Sequence, residues 1–152
     1  MGMRNIIELS EEKVLEEDRI SKEDFYDSYI IGTAADYVDD TMNRSEDLHY
    51  FYERIERLGA TVDRENETIT FPEGFAKEYF KARIKTLKNL VKDLTLDQFA
   101  ADGMEEYTIR KIIKNEFDDY IHFNYLMPLD SFVRKLDGTK TFHVGGVALY
   151  HC

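Results

Sequence analysis

Apolar residues recur at steps of three and four along much of this chain, the spacing that gathers side chains on one face of an α-helix. The longest run, Phe80, Ile84, Leu87, Val91 and Leu94, predicts a helix over residues 75–93, starting after the breaks at Pro72 and Gly74. Leu48, Phe51, Tyr52, Ile55 and Leu58 predict another over 46–58, capped by Ser45 and stopped at Gly59. Tyr26, Tyr29, Ile30, Ala34, Tyr37 and Val38 predict a third over 22–41, opened by Ser21 with Asp24 and weakened by Gly32. Ile109, Ile112, Ile113, Phe117, Tyr120 and Ile121 predict a fourth over 105–120. Shorter helices fit 96–101 and 129–136.

The period changes in two places. Residues 60–63 and 68–71 are β-prone runs on either side of a polar turn, which predicts a hairpin across 60–71. Residues 139–144 and 147–151 flank Gly145-Gly146, a two-residue turn signal, which predicts a second hairpin. Residues 1–20 read as an N-terminal arm or a short helix, with Arg4 to Leu9 apolar and Ser10 as a cap for a brief helix through Asp18. The expected fold is therefore α+β: a mostly helical single domain over residues 1–152, with four to five helices and two small β-hairpins.

Composition supports a packed interior. The 152 residues are 43% hydrophobic and 13% aromatic, and a chain of this length buries roughly 68–70% of its unfolded surface. The single cysteine, Cys152, rules out an internal disulfide. Met1 to Val14 lacks the apolar stretch of a signal peptide. No run reaches the roughly 18–20 apolar residues of a membrane span. Gly2 lacks the Ser or Thr that myristoylation needs at the position of Ile6. A cytoplasmic protein with no membrane association is expected.

Charge changes the picture more. The net charge is −11, and it is uneven. Residues 1–76 hold 20 acidic and 8 basic side chains, a net of −12, while residues 77–152 hold 11 and 12, a net of +1. Asp24, Asp27, Asp36, Asp39 and Asp40 lie off the apolar stripe of one expected helix, with Glu23 beside them; Glu46, Asp47, Glu53 and Glu56 do the same on the next. Duplex DNA carries one charge per about 1.7 Å of axis, and carboxylates along helices approximate such an array. Arg44, Arg54 and Arg57 interrupt it.

Lys77, Lys81, Lys85, Lys88 and Lys92 form a stripe on the expected 75–93 helix, a spacing that tracks phosphates or simply faces solvent. Residues 96–113 have a loose helix-turn-helix cadence whose second helix would present Arg110, Lys111 and Lys114, although Glu105 and Glu106 open it. His49, His122, His143 and His151 form no metal-ligand spacing. With a turn at Gly145-Gly146, His143 and His151 would fall on opposite faces of the hairpin. His122 reads as partly buried with a hydrogen bond. No catalytic motif is present, and Asp118 with Asp119 cannot share a helix face. No catalytic residue, metal or cofactor is expected.

The leading expectation is a non-enzymatic acidic interaction protein that binds a basic protein partner through Asp24, Asp27, Asp36, Asp39, Asp40, Glu46, Glu53 and Glu56. Such a surface could act as a DNA mimic, in the manner of phage and mobile-element inhibitors of nucleic-acid-binding enzymes. The second expectation is a nucleic-acid-binding regulator using the Lys77–Lys92 stripe with Arg110, Lys111 and Lys114. The third is an enzyme whose site is assembled from distant residues.

Overall fold

The computed structural model describes residues 3–100 and 119–151. Their organising feature is a mixed sheet of seven strands, which corrects the expectation of a mostly helical body with two small hairpins. The strands are β1 (Met3–Ser10), β2 (Tyr37–Asp40), β3 (Thr61–Asp63), β4 (Thr68–Phe71), β5 (Tyr120–Phe123), β6 (Tyr125–Pro128) and β7 (Lys140–His151). The helices are α1 (Arg44–Arg57), α2 (Phe75–Asp93), α3 (Leu96–Ala100) and α4 (Leu129–Arg134).

The sheet runs β3-β4-β7-β1-β5-β6. β1 pairs antiparallel with β7 and parallel with β5. β7 is long enough to serve two partners along its other edge. Its first residues pair with β4, Phe71 opposite Lys140, and its last pair with β2, Tyr37 opposite His151.

Consecutive strand residues point to opposite faces, and here both faces are covered. Ile7, Ile121 and Val147 join the larger core, under Leu48, Phe51 and Ile55 of α1, Phe75 and Tyr79 of α2, and Phe132 and Val133 of α4. Phe71, Phe132 and Phe142 pack edge to face within it, with ring centroids 5.2–6.0 Å apart. The neighbouring residues Ile6, Tyr120 and Ala148 join the smaller core, closed by Phe25, Ile30 and Ala35. A strap of chain between β1 and β2 supplies that second cover.

The strap corrects the expected 22–41 helix. Its backbone makes short turns instead, with Ser28, Ile31 and Thr33 each donating to the residue three positions back. Gly32 has φ 83°, a left-handed conformation that ends any helix here. Tyr37 and Val38 then satisfy their backbone in β2 against β7. Ile30 is buried as the spacing implied, but the buried alanine is Ala35 rather than Ala34, and Tyr26, Tyr29 and Tyr37 are 67, 58 and 49% exposed.

The expected second hairpin is also corrected. Gly145 and Gly146 lie inside β7, which runs straight through them. They form a bulge in β7, two residues opposite the single Glu8 of β1, where the register shifts from Ile7↔Val147 to Leu9↔Val144. His143 and His151 are thus eight residues apart on one strand, about 26 Å at strand rise. Distance, rather than the register of a turn, keeps them from sharing a ligand.

Other elements fall where the spacing put them. α2 spans the expected 75–93, α1 matches 46–58 within two residues, and β3 with β4 forms the expected hairpin. The expected 105–120 helix lies mostly outside the described residues, and its last residue, Tyr120, begins β5 instead. The apolar face of α2 is buried only near its start. Phe75 and Tyr79 are 3% exposed, whereas Ile84 and Val91 are each 53% exposed and Leu87 is half-buried. Leu87→Ala should therefore cost about 1 kcal/mol or less, against about 2–5 kcal/mol for the fully buried Leu129→Ala. Urea unfolding of the two variants tests this; equal losses would contradict it.

Candidate functional site

The described surface holds several clefts with polar lining. The first lies between the strap and the β5–β6 turn. Ser21 and Asp24 cap a 3-10 turn over Lys22–Phe25, with the Ser21 amide donating to Asp24 Oδ2 at 2.8 Å. This turn sends Phe25 into the smaller core and leaves its neighbours outside. Across the gap, Asn124 takes φ 63° and reverses the chain in a single residue, so that Phe123 pairs with Tyr125. Asparagine is among the few residues that tolerate that conformation.

The result is an open groove of about 580 Å³. Phe25 and half-buried His122 meet edge to face at its floor, ring centroids 5.9 Å apart. Tyr29 and Tyr125 line its sides, and Asp24 and Asp27 lie on its rim. The Tyr29 hydroxyl donates to the Leu126 carbonyl at 3.4 Å, which ties the strap to β6. Partial burial raises the Tyr29 phenol above its ordinary pKa, so it stays protonated as a donor. The Lys135 ammonium sits 4.6 Å from the Tyr125 ring centroid, a cation–π contact within the chain itself.

The other expected acidic residues are divided by the sheet. Asp24, Asp27, Asp36, Asp39 and Asp40 belong to the strap and β2; Glu46, Glu53 and Glu56 belong to α1 on the opposite face. Most have local partners. Asp36 is 3.0 Å from His151 Nδ1, and His151 stacks on Tyr37. Asp39 is 4.0 Å from Lys22 Nζ, while Asp40 Oδ1 accepts from the Lys22 amide at 2.8 Å. On β2 the two aspartates also discourage pairing with another chain, as charges on an open sheet edge do. Glu53 is 3.3 Å from His49 and Glu56 is 2.5 Å from Arg64, whose hydrogen bond holds the Glu56 carboxyl below its usual pKa. The carboxylates of Asp27 and Glu46 have no side-chain partner among the described residues.

Lys77, Lys81, Lys85, Lys88 and Lys92 are all exposed along α2, with Lys81 3.4 Å from Glu78. Arg110, Lys111 and Lys114 lie outside the described residues, as does the expected helix-turn-helix second helix. No helix among the described residues is long and apolar enough to cross a membrane.

The second cleft, about 280 Å³, separates α1 from α2 and is lined by Arg54, Leu58, Tyr79, Arg83 and Leu129. Two buried carboxylates stand behind it. Asp119 accepts from Arg54 Nη1 at 2.9 Å, and Asp130 accepts from the Tyr79 hydroxyl at 2.5 Å and Arg83 Nε at 3.1 Å. Each carboxylate is spent on joining elements, so this cleft reads as a structural joint.

The third cleft, about 360 Å³, lies beside the start of α1 and the β3–β4 turn. Arg44 holds two groups there. Its Nη1 is 2.6 Å from Glu67, and its Nε and Nη2 donate to the Gly145 carbonyl at 3.1 and 2.6 Å. Arg64 lies over the Tyr52 ring, 5.5 Å from its centroid.

Of the groove's lining, the sequence names Asp24 and Asp27 as candidates and does not bring the other residues to them. His122 and Tyr125 come from a distant part of the chain, and the only local signal is the mixture of acids and tyrosines over residues 23–29, which includes Tyr29. Compared with protein-family models, with curated proteins and with solved structures, the chain matches none of them.

Proposed function

We propose that this chain is a protein-binding module that takes a basic segment of a partner into the groove between the strap and the β5–β6 turn. The observation that carries this reading is the pairing of Asp24 and Asp27 with the Tyr29 and Tyr125 rings around one open groove. Carboxylates bind a guanidinium or ammonium directly. Aromatic rings attract the same cation through their faces. Tyr26, Tyr29 and Tyr125 are each more than half exposed, and tyrosine is enriched where proteins meet, because it offers a large rigid surface with one polar end.

The uneven charge adds range. A net of −12 over residues 1–76 attracts a basic partner before contact and speeds association. Basic segments of nucleic-acid-binding enzymes belong to the class that fits. The placement of acids on two faces favours recognition at the groove over imitation of one continuous duplex.

A hexa-arginine peptide is a suitable probe, with hexa-glutamate as control. The expected result is binding that Asp24→Asn with Asp27→Asn, and separately Tyr29→Ala, each weaken about tenfold, the scale of a charge-assisted hydrogen bond or a desolvated cation–π contact. Affinity should also fall with added salt. Peptide binding that ignores these changes but disappears with Glu53→Gln and Glu56→Gln would place recognition on α1 and sink the groove reading.

A further inference from the structure

We propose that the cavity between the start of α1 and the β3–β4 turn binds an oxyanion, the phosphoryl or carboxylate group of a small ligand. This site lies on the helix-covered face of the sheet, away from the groove, and stands independently of it.

The cavity is lined from α1 by Arg44, Ser45, His49 and Tyr52, and from the turn by Arg64 and Glu67. Tyr52 is 4% exposed. Its hydroxyl is buried and has no hydrogen-bond partner among the described residues. Buried polar groups are nearly always satisfied, so such an orphan calls for an explanation. Tyr52 lines the cavity, and so do Glu67, Arg44 and Arg64, the charges that act on its phenol. Burial pushes its pKa up to about 12, with Glu67 adding to the shift and the two arginines opposing it. The phenol is therefore a donor at any physiological pH.

A second orphan lies on the strap. Arg19 Nε is also buried without a partner among the described residues, and Arg19 Nη2 is 3.9 Å from Glu67 Oε1. Both orphans are donors, and Arg19 shares Glu67 with Arg44 of the cavity. Glu67 is already bound by Arg44 at 2.6 Å.

The surplus is one of donors rather than of net charge. Glu67 and Glu56 offset Arg44 and Arg64, and Glu65 adds another negative charge to the lining. Each guanidinium nevertheless carries five N–H groups. Arg64 engages Glu56 through Nη1 and Nη2, which leaves its Nε edge unused by that pair. An oxyanion offers acceptors to Tyr52 Oη, the Ser45 hydroxyl and the remaining guanidinium N–H groups together. Neither a cation nor an apolar ligand would satisfy the Tyr52 donor.

The test is titration of the full chain with inorganic phosphate and, separately, acetate at constant ionic strength, followed by amide NMR. Saturable shifts at Ser45, His49, Tyr52 and Arg64 are expected. Saturation by phosphate alone assigns a phosphoryl ligand, and by acetate alone a carboxylate; either supports the site. Tyr52→Phe removes only an unpartnered hydroxyl, so its thermal midpoint should hold or rise while binding weakens roughly tenfold. Arg64→Gln changes an exposed residue and should weaken binding similarly, which keeps the test open if Tyr52→Phe folds poorly. No saturable shift with either ion, or unchanged affinity in both variants, would overturn the proposal.

Discussion

Replacing Asp130 with alanine is expected to cost about 3–5 kcal/mol of folding stability, the range for stripping one partner from a buried charged pair. Asp130 is 3% exposed, yet it carries a carboxylate into the joint between α4 and α2. That carboxylate accepts from the Tyr79 hydroxyl at 2.5 Å and from Arg83 Nε at 3.1 Å. Arg83 in turn lies 6.0 Å from the centroid of the Tyr79 ring. Alanine would remove an acceptor from both groups at once and leave a cavity between the helices. Asp130→Asn keeps an oxygen for Tyr79 but loses the charge facing Arg83, so its loss should be smaller. Tyr79→Phe removes one hydrogen bond to a charged group, about 1.5–3 kcal/mol. Because both changes break the same bond, Asp130→Ala with Tyr79→Phe should cost less than the two summed. Urea unfolding of the four variants measures this. A loss under about 1 kcal/mol for Asp130→Ala would mean the carboxylate's burial cost cancels its contacts, which is the known alternative for buried ion pairs.

The parts of this fold that were legible in the sequence are those whose signals are local. α2 could be read because its apolar period is sustained and bracketed by Pro72, Gly74 and a polar end. α1 has the same clarity, with an Asn43 side chain accepting from the Glu46 amide at its start. The strap defeated the same reasoning. Its apolar residues are spaced for a helix, but the four residues that follow it, β2, gain more from pairing with β7, more than a hundred positions away. Propensity is a weak prior against such pairing. β7 itself alternates poorly because it is buried on both faces. Strands covered on both sides read as continuous apolar runs, and Gly145-Gly146 within such a run looks like a turn.

The candidate sites follow the same rule. Asp24 and Asp27 stood out because charge is visible in composition. His122 and Tyr125 did not, because only the sheet brings β5 and β6 beside the strap. The Tyr52 cavity left no sequence signal at all. It depends on the β3–β4 turn placing Glu67, at φ 53°, so that its carboxylate meets Arg44 of α1.

Gly146→Ala should be as damaging as the loss of Asp130, at roughly 3 kcal/mol or more, the upper end of the cost of overpacking a tight site. The reason lies in how the strap is clamped to the sheet. Glu8 sits opposite the β7 bulge, and its Oε1 accepts from the Gly146 amide at 2.8 Å and the Ile20 amide at 3.2 Å. This draws the strap backbone onto β7. A Cβ at Gly146 would stand 2.7 Å from the Ile20 carbonyl oxygen and 2.8 Å from its nitrogen. Both are backbone atoms, so relief requires moving the strap and breaking its bond to Glu8. The smaller core, with Ile6, Ala148 and Tyr150 beneath the strap, would then loosen. Gly145→Ala meets a different obstacle, the Glu8 carboxylate, with its Cβ 2.2 Å from Oε1. A side chain can swing away, at the loss of its two amide bonds, so this change should cost less than Gly146→Ala. Glu8→Ala also forfeits those bonds but removes the obstacle. Combined with Gly145→Ala it should therefore cost less than the sum of the single changes, whereas with Gly146→Ala most of the backbone clash should remain. Guanidinium unfolding across this set distinguishes the two glycines. If Gly146→Ala unfolds at the wild-type midpoint, the strap does not need the close approach, and the clamp is not what holds it to the sheet.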